Sequence, residues 1–123
     1  MMKKILISIK PEYVKQIING TKKFEYRKSV AKEDVSALVI YSTMPEKKIV
    51  AEAEIKEIIS DSPEKLWTRT FQHGGVSKEF FDKYFFGKEK AFAYVLGKIT
   101  IYDQPKELIE FGIKSAPQSY IYL

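Results

Sequence analysis

Residues 48–58 alternate between apolar and charged side chains. Ile49, Ala51, Ala53 and Ile55 fall on one side of an extended chain, and glutamates and a lysine fall on the other. Because successive side chains of a β-strand point to opposite faces, this period of two indicates a strand with one buried face. The small alanines in the middle of that face suit the tight curvature of a small barrel.

Five further segments carry the β-branched and aromatic residues that are typical of strands. These segments are residues 3–9, 22–28, 37–41, 90–102 and 120–123. We expect the longest of them to bend at Gly97. We also expect Gln104-Pro105 to end it, because proline cannot donate a hydrogen bond to a neighbouring strand.

Short helices are predicted where capping residues precede apolar residues at helical spacing. The first begins at Pro11, whose fixed φ suits a first helical position, and it ends before Gly20. Ser62 and Ser77 are the predicted N-caps of two more helices. Residues 106–111 are expected to form a turn or a single helical turn.

Short strands interrupted by helices indicate an α+β fold. The expected architecture is a mixed β-barrel of about six strands, closed or nearly closed, with two to four short helices. An open α+β sheet is the alternative, since hydrophobic periodicity does not distinguish the two. No repeat, linker or low-complexity segment divides residues 1–123, which predicts a single domain.

The amino-acid composition argues against several classes of function. The net charge is +5, but only Arg27 and Arg69 are arginines, which favours anionic partners and argues against a broad nucleic-acid footprint. The chain has no cysteine and one histidine, so neither a metal nor a cofactor is predicted. No segment approaches the roughly 20 apolar residues of a membrane span. We therefore expect a cytoplasmic protein without a membrane partner, as a monomer or weak homodimer.

Residues 20–28 are the most unusual segment, because they gather several cations around one carboxylate. If residues 22–28 form a strand, Lys23, Glu25 and Arg27 share a face and their charged ends converge. The alternative is a solvated strand face whose ion pairs are worth less than about 1 kcal/mol.

Ser42, Thr43 and Gln118 are further candidates for the same cleft. Ser42 and Thr43 follow a buried strand, where a rigid scaffold positions a loop. Gln118 lies in a polar segment near the end of the sequence and offers a hydrogen-bonding amide.

Aromatic and imidazole side chains have simpler explanations than catalysis. Tyr26 and Trp67 are candidates to stack on a base, although Trp67 also fits the core face of an amphipathic helix. His73, beside two glycines, is predicted to be a loop residue rather than a catalytic base.

Gly20, Lys22, Glu25 and Arg27 form a G-x-K-x-x-E-x-R pattern that resembles the signature of ASCH domains, which belong to the PUA-like superfamily of β-barrels. The resemblance covers essentially the whole chain. It extends to the helix entry at residues 10–11, the loop after 37–41, the turn at 61–63 and the ending at 116–120.

The resemblance implies an RNA- or nucleotide-binding protein, regulatory in one interpretation, with Lys22, Glu25 and Arg27 lining its cleft. Lys22, with Lys23 beside it, and Arg27 are then expected to hold phosphate, Arg27 in a bidentate manner. Glu25 is expected to accept a hydrogen bond from an exocyclic base amine or to orient Arg27.

Some ASCH relatives are enzymes, among them a small acetylcytidine amidohydrolase and a ribonuclease. A small nucleoside or RNA hydrolase is therefore the alternative function, with Lys22 and Glu25 as its candidate catalytic residues. In the amidohydrolase, the signature lysine partners a threonine nucleophile three residues on, a position that Glu25 occupies here. Thr21 lies on the wrong side of Lys22, so the missing hydroxyl argues against acyl transfer through threonine.

Overall fold

The computed structural model describes residues 3–123. Six strands form one mixed sheet: β1 (Lys3–Ile9), β2 (Phe24–Arg27), β3 (Val35–Ser42), β4 (Lys48–Asp61), β5 (Ala91–Lys106) and β6 (Tyr120–Tyr122). Their spatial order is β2-β5-β4-β3-β1-β6, so β2 and β6 form the two edges of a curled half-barrel. The predicted α+β, barrel-like fold of six strands is confirmed, and the described strands form a half-barrel rather than a closed barrel.

Three short helices accompany the sheet: α1 (Pro11–Ile18), α2 (Pro63–Thr70) and α3 (Lys78–Tyr84). The side chains of Ser62 and Ser77 accept hydrogen bonds from backbone N–H groups of α2 and α3, as predicted for N-caps. Gly20 follows α1 with a φ of 88°, a conformation that glycine adopts without steric cost. A 3₁₀ turn forms within the predicted segment 106–111.

Strands β1 and β3 are buried on both faces over most of their length. β1 pairs in parallel with β3 and antiparallel with β6, so the first and last of the described strands are neighbours in the sheet. One face of β1 and β3 packs under α1, and the other packs against the segment that contains Leu108, Phe111 and Ile113. Burial on both sides explains why β1 and β3 are almost continuously apolar instead of alternating.

The long β4–β5 ladder matches the predicted alternation but not the predicted end. Ile49, Ala51 and Ala53 are fully buried, and the β4–β5 register shifts beside Gly97, where the bend was expected. The prediction that Gln104-Pro105 ends the strand is wrong, because β5 continues to Lys106. Between the paired positions Ala51–Ile101 and Ile49–Lys106, four β5 residues bulge out of the ladder. The missing N–H of the proline is therefore not required there.

The apolar side chains leave a gap beside β2. One cluster lies beneath α1 and a second lies beneath α2 and α3. Between them, the end of β1 approaches β2, and the cleft described below opens at this point. Within residues 3–123, no helix combines the length and apolar character needed to span a bilayer.

Candidate functional site

A cleft of about 200 Å³ lies between the end of β1, the first turn of α1, β2 and α3. Polar groups occupy its floor and aromatic rings form one wall. The lining residues are Ser8, Ile9, Lys10, Tyr13, Lys22, Glu25, Tyr26, Arg27, Val76, Phe80 and Tyr84.

Lys22 lies at the bottom of the cleft with only 3% of its surface exposed. Its Nζ donates a 2.5 Å hydrogen bond to the Gly74 carbonyl and lies 3.7 Å from Oε1 of Glu25. The same ammonium group lies 5.3 Å and 5.1 Å from the ring centres of Tyr13 and Tyr26. Burial lowers the pKa of Lys22 below its usual value, and the nearby carboxylate opposes that shift.

Glu25 links the two cations of the cleft. Its Oε2 accepts a 3.0 Å hydrogen bond from Nε of Arg27 and forms an ion pair with Nη2 at 2.9 Å, while Oε1 faces Lys22. The side chains of Glu25 and Arg27 are 8% and 16% exposed. Partial burial strengthens such charge-assisted bonds relative to a surface pair, which orients the guanidinium group of Arg27.

Arg27 also closes the seam of the half-barrel. Its Nη2 donates a 2.7 Å hydrogen bond to the Ser8 carbonyl on β1, a strand that shares no ladder with β2. β6 covers β1 only along Ile5–Ile7, so the Ser8 carbonyl is available to this side chain. Arg27 thus serves the fold and faces the cleft at the same time.

Tyr26 supports the floor through a buried hydroxyl chain. Thr70 donates its hydroxyl proton to the Leu66 carbonyl at 2.7 Å, so Tyr26 must be the donor in its 2.6 Å hydrogen bond to Thr70. Burial raises the pKa of Tyr26, although the bond to Thr70 opposes that shift. The chain anchors β2 to α2.

A glycine pair completes the floor. A Cβ at Gly74 would collide with the Tyr26 hydroxyl, and one at Gly75 would collide with the Gln16 side chain and contact Lys22. Gly75 also has a φ of 73°, which side chains rarely tolerate. The close approach of this backbone places the Gly74 carbonyl on the Lys22 ammonium group.

Aromatic side chains form the wall opposite the charges. Phe80 stacks on Tyr84 with ring centres 6.0 Å apart, and its ring meets the Tyr13 ring edge-on at the same separation. Phe80 remains 38% exposed. Planar apolar surfaces beside convergent hydrogen-bond donors suit a flat, polar-edged ligand group.

Lys22 and Lys23 are neighbours in the sequence and both were expected in the cleft, but only Lys22 lines it. Lys23 was expected to share a face with Glu25 and Arg27, but it lines a different depression with Lys56 and Leu96. The reason is that β2 begins only at Phe24: the N–H of Lys23 bonds to the His73 carbonyl, outside any strand ladder. The irregular backbone turns Lys22 into the cleft instead.

Ser42, Thr43 and Gln118 do not line the cleft. Ser42 is buried and its hydroxyl donates to Glu46. The backbone N–H of Thr43 donates to the Ile9 carbonyl, and the Gln118 side chain is exposed. Their contact with the cleft is indirect. Ser42 and Thr43 lie beside Ile9, and Pro117, the neighbour of Gln118, accepts a hydrogen bond from the Ser8 hydroxyl.

Three other sequence candidates also lie outside the cleft. Trp67 packs in the second apolar cluster, where it stacks on Phe71 and contacts Phe81. His73 ends a 3₁₀ turn. The Thr21 hydroxyl bonds to Asn19 and to the Gln16 carbonyl, so it supplies no nucleophile here.

Sequence reasoning missed the aromatic wall and the glycine pair. The spacing of Phe80 and Tyr84, four residues apart on a helix, does indicate a shared face, but nothing local shows that this face looks into a cleft. In residues 3–123, no three His, Cys, Asp or Glu side chains lie together in a way that could hold a metal ion.

Solved structures with this architecture are known. The crystal structure of ASCH from Zymomonas mobilis superposes with a TM-score of 0.90 and 29% sequence identity, covering 98% of this chain and 87% of that one. The fold of the two proteins is therefore the same.

Sequence comparison finds relatives among characterised proteins. An ASCH domain-containing ribonuclease of Zymomonas mobilis is 34% identical over 95 residues, which are 76% of this chain and 64% of that protein. A large ribosomal subunit protein uL22 of Ureaplasma parvum is 28% identical over 120 residues. This chain aligns over 97% of its own length but spans only 39% of that relative.

The ASCH domain model matches residues 7–111, which include the whole cleft floor from Ser8 to Gly74. The match agrees with the superposed structure and with the G-x-K-x-x-E-x-R pattern. The chain belongs to the ASCH domain family.

Proposed function

We propose that this protein binds single-stranded RNA or a nucleotide, with one base or phosphate held in the cleft by Arg27. The observation that carries the proposal is the Lys22–Glu25–Arg27 cluster, a partly buried charged group beside an aromatic wall. An arginine oriented by a carboxylate is suited to donate a charge-assisted hydrogen bond to a phosphate or to an acceptor on a base edge.

Within the described part of the chain, one nitrogen of the Arg27 guanidinium group is free to donate a hydrogen bond to a ligand. Its Nε and Nη2 are engaged by Glu25 and by the Ser8 carbonyl, whereas among the described residues Nη1 has no hydrogen-bond partner. The 16% exposed side chain opens into the cleft. A ligand oxygen in front of Nη1 would therefore meet a group that is already held in place, which lowers the ordering cost of binding.

The aromatic wall supplies the second contact. A base that enters between the cluster and the rings of Tyr13, Phe80 and Tyr84 can stack while its edge reaches Arg27 or Glu25. Base–aromatic stacking contributes roughly 1–3 kcal/mol per base. The relative named a ribonuclease supports an RNA ligand over other planar molecules.

Ligand-induced stabilisation tests the proposal. Wild type, Arg27→Lys and Arg69→Gln are heated with nucleosides, nucleoside monophosphates and short single-stranded RNAs. Ligand at a hundredfold excess over Kd should stabilise wild type by about 2.7 kcal/mol. Arg69, the other arginine of the chain, is the matched control, because it is exposed and pairs with Asp61 away from the cleft.

We expect stabilisation of wild type and Arg69→Gln and a much smaller effect in Arg27→Lys, which keeps the charge but loses the planar fork. No stabilisation of wild type by any nucleotide or RNA would refute the proposal. Equal stabilisation of all three proteins would place the ligand elsewhere.

A second function, RNA hydrolysis, is compatible with the ribonuclease relative and with the lowered pKa of Lys22. A buried amine that releases its proton more readily can accept one from a ribose 2′-hydroxyl, with Glu25 as the neighbouring carboxylate. End-labelled RNA should then be cut by wild type, but not by Lys22→Met, and a 2′-deoxy copy should survive. Uncut RNA across a pH series would leave binding as the function.

A further inference from the structure

The cleft is too small for a whole nucleotide. Sites that enclose a complete drug-sized ligand have volumes of about 300–1,000 Å³, whereas this cleft has about 200 Å³. Only one base-sized group fits inside it. If the proposed function is correct, the remainder of the ligand must lie on the surface around the mouth.

Two lysines flank that mouth. Lys10 lies at its rim, just before α1, and is exposed. Lys28 follows Arg27 directly, and its Nζ lies 4.8 Å from the ring centre of Tyr84, which lines the cleft. Neither lysine has a carboxylate partner within residues 3–123, so both remain available to an anion.

The helix beside the mouth does not cancel this charge. On α3, Asp82 pairs with Lys78 at 2.6 Å and Glu79 pairs with Lys83 at 3.3 Å. The acidic groups of α3 are thus neutralised by lysines on the same helix. Glu25 is likewise neutralised by the cations of the floor. Glu12, in the first turn of α1, is an acidic residue that is not neutralised in this way among residues 3–123.

From these observations we infer that the ligand is a single-stranded oligonucleotide that crosses the mouth of the cleft, with Lys10 and Lys28 binding the phosphates on either side of the inserted base. The inference rests on the proposed function and narrows it. A free mononucleotide offers one phosphate group and leaves at least one of these lysines unused, whereas a continuous strand engages both.

The test compares a labelled RNA hexamer with adenosine monophosphate by fluorescence anisotropy and competition, over a range of salt concentrations. Lys28→Gln, Lys10→Gln/Lys28→Gln and Lys28→Arg are measured beside wild type. Lys65→Gln is the matched control, since Lys65 lies on α2 in a separate depression.

We expect wild type to bind the hexamer more tightly than the monophosphate. The slope of log affinity against log salt for the hexamer should become less steep by about 0.7 in Lys28→Gln and by about 1.4 in the double variant. Lys28→Arg and Lys65→Gln should keep the wild-type slope, and the double variant should lose more affinity for the hexamer, which engages both lysines, than for the monophosphate, which engages at most one.

The inference is overturned if the double variant weakens the binding of both ligands equally, or if the hexamer slope does not change. If monophosphate still binds through Arg27 in either case, the proposed function stands and only the oligonucleotide inference fails. If neither ligand binds wild type, both fail.

Discussion

Replacing Glu25 by glutamine should expose how much the buried charge cluster contributes to the fold. Glutamine has nearly the same shape but no charge, so the change isolates the electrostatic contribution. It leaves Lys22, whose side chain is 2% exposed, and Arg27, which is 16% exposed, without their shared carboxylate. The Gly74 carbonyl still accepts from Lys22, and the Ser8 carbonyl still accepts from Arg27.

The magnitude follows from that burial. Removing one partner of a buried ion pair costs about 3–5 kcal/mol, because an uncompensated charge stays in the interior. Arg27 retains some contact with water, so we expect the low end, about 3 kcal/mol. Lys22→Met should cost less, because Glu25 keeps its hydrogen bond and ion pair with Arg27.

Urea unfolding of the wild type, both single variants and the double variant measures these quantities. The double variant should lose less stability than the two single losses combined, with a coupling energy of about 0.5–3 kcal/mol. Glu79→Gln is the surface control, since its pair with Lys83 is almost fully exposed and its loss should have no measurable effect.

The pH dependence carries the opposite sign to that of a lysine whose pKa is raised by its ion pair. The pKa of Lys22 is already lowered in the folded state, and removing Glu25 takes away a contribution that raises it. Because the folded state then releases its proton below the unfolded value of 10.5, stability rises as the pH increases through that interval. The loss of unfolding free energy caused by Glu25→Gln should therefore become smaller as the pH rises. A loss no larger than that of Glu79→Gln, or one independent of pH, would refute this reasoning.

Two further substitutions test the floor of the cleft. Thr70→Val should cost about 1–3 kcal/mol, since it strands the buried Tyr26 hydroxyl, whereas Tyr26→Phe should cost only about 0.5–1.5 kcal/mol because Thr70 keeps the Leu66 carbonyl. A larger loss in Tyr26→Phe, measured by urea unfolding, would reverse the assigned donor. Gly74→Ala should destabilise by about 1–3 kcal/mol through its collision with Tyr26, and should lose less in a Tyr26→Phe background; equal losses in the two backgrounds would exclude that collision.

Arg27 shows why it is difficult to assign a single role to a residue of this site. It belongs to the signature pattern, it faces the cleft, and it bridges two strands that share no ladder. Its replacement by alanine would therefore confound ligand loss with opening of the seam. Arg27→Lys, read together with unfolding data, separates the two effects, because a lysine can still donate to the Ser8 carbonyl but cannot at the same time place a second donor where Nη1 lies.

Local patterns in the sequence were sufficient for most of the elements. The alternation of residues 48–58, the N-caps Ser62 and Ser77 and the left-handed Gly20 depend on interactions within a few residues of the chain. Such interactions leave a direct mark on the sequence, because side-chain period, capping and allowed φ are local properties. The same locality makes the G-x-K-x-x-E-x-R pattern recognisable.

Tertiary contacts decided the rest. Whether Lys22 or Lys23 enters the cleft depends on two backbone hydrogen bonds of Lys23: its N–H donates to the His73 carbonyl, and its carbonyl accepts from the Leu96 N–H. These partners lie about 50 and 70 residues away in the chain. Likewise, the Gly74 carbonyl, the Phe80 ring and the Ser8 carbonyl reach the cleft only after helices and strands pack. Sequence alone therefore determined the kinds of group that the site contains. Packing between distant segments decided which of them meet, because side-chain direction at an irregular strand end is set by long-range hydrogen bonds and not by neighbouring residues.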